Sequence, residues 1–354
     1  MQVEELSYPS ADGASTVRAR LWAPSASAQL RGVVQIAHGM AEHIGRYEAF
    51  AGALVDAGFA VCANDHIGHG ATARSEDDLG HIPIHGGAGM LISDLRTLRG
   101  RVLERLDGGR DASPGSVPRG LPEAASPTSS DAAGRGRVPY ILFGHSLGSF
   151  MARVYLARHP EDLDGAIICG TGQQPRLLTD AGRLLTRLVA AVRGERFRSA
   201  FVDSMGVGAY ARAIPHAKTR VDWISTDRAV VQAYLDDPWC GQLFTVGGYA
   251  AVSALAGDAQ RRDLLANTPR ELPLLFISGA EDPVGDRGRG VERAVEQYLS
   301  SGFSDVEQIV YPHMRHEILN EPGRDRVCAD ILDWLARHGC AAPDAPQEGG
   351  RPAA

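Results

Sequence analysis

Short, unbroken apolar runs alternate with amphipathic stretches along most of the chain. Gly32–Ala37, Phe59–Ala63, Tyr140–Phe143, Leu163–Cys169, Leu272–Ser278 and Val306–Tyr311 each carry four to seven residues, mostly apolar and mostly bounded by glycine or polar turns. Runs of that kind predict strands, those at Phe59–Ala63 and Tyr140–Phe143 of the buried type. Between them, Tyr47–Ala57 places Tyr47, Phe50, Ala51, Leu54 and Val55 at helical spacing, with Gly58 as a stop. Gly87–Leu106 sets Leu91, Leu95, Leu98, Val102 and Leu106 on one face, and Arg324–Arg337 does the same with Val327, Ile331 and Leu335. A further helix is expected near Gly288–Leu299. Val3–Tyr8 and Val17–Trp22, joined at Ala11-Asp12-Gly13, predict a hairpin at the sheet edge. The alternation predicts an α/β fold with a mostly parallel central sheet flanked by helices.

Two stretches break the pattern. Residues 107–137 are rich in Gly, Pro, Ser, Ala and Asp, with almost no large apolar side chain. They are expected to form a disordered surface insertion, because they cannot bury enough surface to order themselves. Residues 172–268 read as helical or irregular, with no clear buried strand. They predict a helical cap inserted into one core made of residues 1–171 and 269–340. Residues 341–354 are expected to be a flexible tail.

Composition narrows the classes. A chain of 354 residues, 44% hydrophobic, is ample for a large core. A formal net charge of −7 argues against nucleic-acid binding. The N-terminus shows no apolar signal segment, and no run of about 18 apolar residues exists to span a membrane. Five scattered cysteines lack any metal-type pairing. They fit a reduced, cytoplasmic protein. The chain carries no signal for an oligomeric state.

The candidate chemistry centres on Gly144-His145-Ser146-Leu147-Gly148, which joins an apolar run to an apolar-periodic helix. A serine on a tight strand-to-helix turn is strained and exposed above the sheet, at a helix N-terminus. A serine hydroxyl needs a base, and the base needs an orienting acid, expected on later strand ends in that order: Ser, acid, His. The run ending at Ser278 leads into Glu281-Asp282-Pro283. Asp282 is preferred, because Pro283 fixes a turn after it. The run ending at Tyr311 leads into His313 and His316. Both remain open as the base, with spacing favouring His316. Backbone N–H donors for the tetrahedral intermediate are expected from Leu147 and from Met40, after His38-Gly39. His145 is expected to pack or hydrogen-bond beside the elbow rather than act as a base. Asp65, His66 and His69 tempt a metal reading, but nothing completes a ligand set of recognisable spacing. No metal or cofactor is expected. Ala181–Gly194 places Leu184, Leu185, Leu188, Val189 and Val192 on one face, with arginines among the rest. It reads as a lid helix, an acyl-tunnel wall or a helix leaning on a lipid surface.

Taken together, these stretches resemble the monoacylglycerol lipase and lysophospholipase branch of the α/β-hydrolases, which carries a helical cap. The matching residues are His38-Gly39-Met40-Ala41-Glu42-His43 with Arg46-Tyr47, Asp65-His66-Ile67-Gly68-His69-Gly70, the pentapeptide at Ser146, Gly279–Val284 and His316–Glu321. In the cap, Asp222–Ser225 and Asp237–Gly241 match as well. The resemblance covers about residues 15–338. It implies an α/β-hydrolase fold, with Ser146 as nucleophile, Asp282 as acid and His316 rather than His313 as base. It implies an oxyanion hole from Met40 and Leu147, and places Glu42 and Arg46 at the glycerol end of the substrate pocket. His145, beside the nucleophile, is expected to line the substrate pocket as well. The implied substrate is a small lipid-like ester of a single acyl chain, a monoacylglycerol or lysophospholipid, with the cap forming the acyl channel. Transient membrane contact through the cap is expected from the amphipathic Ala181–Gly194 stretch. A second histidine that animal members carry three residues after the base is Leu319 here, so the head-group pocket departs from the family there. The 107–137 insertion is not a family feature. A general carboxylesterase, or a peptidase or amidase on the same triad, is the nearest alternative. A ligand-binding protein without catalysis stands further off. Halide or epoxide chemistry is disfavoured, because those relatives carry an aspartate where Ser146 stands.

Overall fold

The computed structural model describes residues 1–25, 30–108 and 138–340. The expected insertion and tail lie outside the described residues, except that a helix runs on through residues 107 and 108. Eight strands form one sheet: β1 (Gln2–Pro9), β2 (Thr16–Ala23), β3 (Gly32–Ala37), β4 (Phe59–Asn64), β5 (Tyr140–His145), β6 (Gly165–Cys169), β7 (Leu274–Gly279) and β8 (Val306–Tyr311). Their order is β1-β2-β4-β3-β5-β6-β7-β8. The β1–β2 and β2–β4 pairs are antiparallel, and every later pair is parallel.

The helices are α1 (Glu48–Asp56), α2 (Gly87–Gly108), α3 (Leu147–Arg158), α4 (Arg176–Arg193), α5 (Ala200–Met205), α6 (Val207–Arg212), α7 (Arg228–Asp236), α8 (Val246–Asp258), α9 (Arg289–Ser300) and α10 (Arg324–Arg337). Successive side chains of a strand point to opposite faces, so each unbroken run feeds two cores. Tyr140 and Leu142 of β5 pack with Leu91, Leu95, Met151 and Tyr298 from α2, α3 and α9. Ile141 and Phe143 pack with Phe50 and Leu54 of α1 and with Ile331 and Trp334 of α10. Burial of that kind stabilises by about 1.5–3 kcal/mol per large apolar side chain.

Helices α4 to α8 fill the interval between β6 and β7. Ile214, Val221, Trp223, Ile224, Val231 and Tyr234 form a separate apolar cluster there, which meets the main domain at Val284. Tyr249, Ala251 and Leu255 of α8 join the principal core beside α2 and α3, and α4 lies on α8. Among the described residues, no helix is long and apolar enough to cross a membrane.

The parallel register does the positioning. Ala37 is level with Gly144, His145 with Cys169, and Gly279 with Tyr311. The loops after β3, β5, β6, β7 and β8 therefore all emerge at one edge. Ligands in open α/β sheets bind outside these carboxyl ends.

Candidate active site

Ser146 sits between β5 and α3 with φ 54° and ψ −115°. A side-chain-bearing residue rarely adopts that backbone, and holding one there stores strain. The glycines either side make the turn feasible. A Cβ on Gly148 would overlap the Ala37 carbonyl, and one on Gly144 would overlap Gly148. The Ser146 amide donates to the Cys169 carbonyl at 3.0 Å, and its half-buried side chain faces a cavity.

That cavity holds about 1170 Å³ of open space, mouth included. Ser146, Met40, Leu147, His145 and His316 line its base. Phe150, Val207, Val221, Trp223, Val252 and Val284 make much of its wall. Neither the Met40 nor the Leu147 amide donates a hydrogen bond among the described residues.

Asp282 and His316 come together on the loops after β7 and β8. The His316 Nδ1 lies 2.9 Å from Asp282 Oδ2, both side chains being almost wholly buried. The other carboxylate oxygen accepts from the Val284 amide at 2.9 Å. Pro283 has no N–H to offer, so the turn presents Val284 instead. His316 Nε2 is buried and has no hydrogen-bond partner among the described residues. No hydrogen bond joins it to Ser146, which accords with the long catalytic contacts of unliganded sites. Cap residues steady the histidine loop. The Trp223 ring lies 4.9 Å from the His316 ring, and Glu317 N–H donates to the Ile224 carbonyl at 2.7 Å. The rival pair lies apart. His313 is 93% exposed, with Nδ1 3.7 Å from Glu281 Oε1 on the outer surface.

Glu42 and His145 both line the cavity beside Ser146. Glu42 Oε1 accepts from Tyr47 Oη at 2.8 Å and faces His145 Nδ1 at 3.2 Å. Burial pushes the Glu42 carboxyl up, but hydrogen bonding and attraction to His145, with Arg46 adding, bring it well below the usual range. Burial likewise pulls His145 down, and Glu42 more than offsets it, so the imidazole ends above its ordinary value. Arg46 stands behind these groups and does not line the main cavity. It forks onto Glu317 at 2.5 and 2.7 Å, reaches Glu42 at 3.1 Å, and packs over the Tyr234 ring. With Leu319, Phe50 and Asn320 it borders a second, narrow cavity behind the first.

Sequence reasoning gave no role at the site to Glu317, Tyr47 or Trp223, which it quoted only as motif residues, and missed Tyr234. Glu317 was legible only as the neighbour of His316, and its partner Arg46 lies 271 positions earlier. The histidines that suggested a metal are turned inward. His66 stacks on His38 with ring centroids 3.8 Å apart, and His69 Nδ1 bonds the Ile67 carbonyl at 2.9 Å. Burial brings His66 to about 3 and His69 to about 4, so both are neutral. Asp65 accepts from the Ile44 and Ala71 amides instead of facing them.

The family model of the serine aminopeptidase S33 hydrolases matches residues 28–107 and 128–323. The chain belongs to this family. Among curated relatives, the monoacylglycerol lipase of Mycolicibacterium smegmatis is 28% identical over 90% of this chain and 92% of its own. The mouse monoglyceride lipase is 24% identical over 91% of this chain and 88% of its own. Among solved structures, a thermostable carboxyl esterase from Bacillus coagulans, in complex with glycerol, superposes with a TM-score of 0.80 at 27% identity. That match covers 96% of this chain and 99% of the esterase. The S33 chain described here is thus an α/β-hydrolase along its whole core.

Proposed function

We propose that this S33 hydrolase cleaves carboxylic esters of single acyl chains through an acyl-enzyme, with monoacylglycerols as its substrate class. The observation that carries the reading is the Asp282–His316 pair, buried at the base of the largely apolar cavity into which Ser146 faces. The mouse and mycobacterial relatives are named for the same substrate.

In this reading His316 Nε2 takes the proton as Ser146 Oγ bonds to the ester carbonyl carbon, and Asp282 holds the imidazolium that forms. The amides of Met40 and Leu147 donate to the oxyanion. His316 then protonates the departing alcohol, and water, deprotonated by the same nitrogen, releases the fatty acid and restores Ser146. The acyl chain follows the wall built by Phe150, Val207, Val221 and Val252. The alcohol lies towards Glu42 and Glu317, whose carboxylate oxygens accept from hydroxyl groups, with His145 beside them. Arg46 is already engaged by both carboxylates and offers little to a phosphate. Neutral glycerol esters should therefore turn over faster than lysophospholipids. A hydrolysis panel of monoacylglycerols, lysophospholipids, short p-nitrophenyl esters and aminoacyl amides tests this. Faster turnover of the amides, the chemistry in the family's name, would overturn the ester assignment.

The cap is proposed to touch the lipid surface that holds such substrates. Leu177 (81% exposed), Leu184, Leu188 and Val192 (82% exposed) form an outward stripe along α4, with Phe201 and Met205 of α5 also exposed. Arg187 and Arg193 lie on the same helix. An apolar stripe with basic neighbours suits an anionic interface. The double variant Leu184→Glu with Leu188→Glu should bind anionic vesicles about tenfold or more weakly in a sedimentation assay, given ~1.5 kcal/mol or more per leucine. Its turnover of a soluble short-chain ester should not change. Unaltered vesicle binding would refute the cap as the contact.

A further inference from the structure

His38 directly follows β3 and is fully buried. Its two ring nitrogens have opposite duties. Nε2 accepts a hydrogen bond from the His66 amide at 3.0 Å. A neutral imidazole that accepts at Nε2 carries its proton on Nδ1. That Nδ1–H donates to the Gly39 carbonyl oxygen at 2.8 Å. The ring stays neutral, because burial, reinforced by His66 and His69, pushes it well below its ordinary value. His66 supports it by stacking, and places its own Nε2 3.1 Å from the His38 carbonyl.

The Gly39 carbonyl and the Met40 N–H belong to one peptide unit. In a planar trans peptide the two point in opposite directions, so fixing the oxygen aims the N–H. The preceding peptide is held too, since the Gly39 amide donates to Glu42 Oε1 at 2.5 Å. A Cβ at position 39 would collide with that Glu42 oxygen. Gly39 is thus gripped from both sides, while the Met40 amide is left without a partner among the described residues.

We propose that His38 is a positioning residue that aims the Met40 N–H at the oxyanion, with His66 as its support. This rests on the reading of Met40 as an oxyanion donor. A donor of this type is worth about 10²–10³ in kcat, and a mis-aimed one loses part of that.

The test uses two variants that divide the duties of the imidazole. His38→Gln can accept from the His66 amide but does not donate to the Gly39 carbonyl. His38→Asn can donate to the Gly39 carbonyl but not accept from His66. On a soluble p-nitrophenyl ester, the glutamine variant should lose about 30-fold or more in kcat with KM within about twofold. The asparagine variant should stay within about fivefold of the parent. Affinity for a trifluoromethyl ketone, whose oxygen becomes an oxyanion when Ser146 adds to it, should fall in step with kcat. Thermal melts establish that each variant is folded. A folded glutamine variant with parental kcat and ketone affinity would overturn the assignment. If that variant does not fold, an asparagine variant that is folded yet more than 30-fold slower overturns it as well. If the parent enzyme binds the trifluoromethyl ketone no tighter than the matching methyl ketone, the oxyanion reading itself fails, whatever His38 does.

Discussion

Ser146→Ala is expected to lower kcat for any ester substrate by about 10⁴-fold or more, to the residue of rate that binding and oxyanion donors supply without a nucleophile. The Ser146 hydroxyl is the nucleophile the elbow presents to the cavity that His316 also lines. Cys169, level with His145 on the neighbouring strand, is fully buried, and burial pushes its thiol well up. The variant should also lose covalent labelling by a fluorophosphonate probe. Stability should move the other way at the same position. With φ at 54°, glycine is the residue the backbone favours, so Ser146→Gly should raise the melting temperature while removing activity. A Ser146→Ala enzyme that keeps more than a hundredth of parental kcat, or that labels like the parent, would remove Ser146 from the mechanism.

The sheet was legible because strands buried on both faces have little choice of residue. The β3 run, buried throughout, coincides with the observed Gly32–Ala37 and the α10 stripe with Arg324–Arg337, and the β8 run matches Val306–Tyr311, a half-buried edge strand. The α4 boundary was not. An apolar stripe suggests 181–194, whereas the helix begins at Arg176, directly after Pro175. Leu177 and Leu178 lie in that first turn and face solvent, so they carry no burial pattern to mark it. Similarly, Leu163 and Asp164 precede β6. Asp164 caps the neighbouring β5 by accepting from the Tyr140 amide instead of extending its own strand.

The site divides along the same line. The loops that bring Ser146, Asp282 and His316 to one edge follow from chain order. The links across the site do not. Glu42 to His145, Arg46 to Glu317 and His43 to Asp237 at 2.9 Å join segments 103, 271 and 194 positions apart. A single sequence does not say which of these residues pair, and the fold makes them a network. Arg46 shows the consequence. Expected at the glycerol end of the pocket, it borders the narrow second cavity, forked onto Glu317 and bonded through one nitrogen to Glu42, the two carboxylates that line the main cavity.

Asp282→Asn is expected to be nearly as damaging as loss of the nucleophile, at about 10³–10⁴-fold in kcat with KM little changed. The reason is the wiring of one side chain. Asp282 Oδ1 is held by the Val284 amide at 2.9 Å, while Oδ2 accepts from His316 Nδ1 at 2.9 Å. An asparagine keeps its carbonyl oxygen on the Val284 N–H, because that amide can only donate. Its NH₂ group then faces His316 and obliges Nδ1 to accept. The ring proton moves to Nε2, which must be bare to receive the proton of Ser146. Asp282→Ala also removes the carboxylate but imposes no tautomer, so it should be no slower than the asparagine variant. Single-turnover kinetics on a p-nitrophenyl ester, with ¹⁵N spectra of the His316 ring, would read both the rate and the tautomer. If alanine proves the slower of the two, Asp282 acts chiefly through its negative charge on the imidazolium, and the tautomer argument falls. If the asparagine variant stays within tenfold of the parent, Asp282 is not the orienting acid.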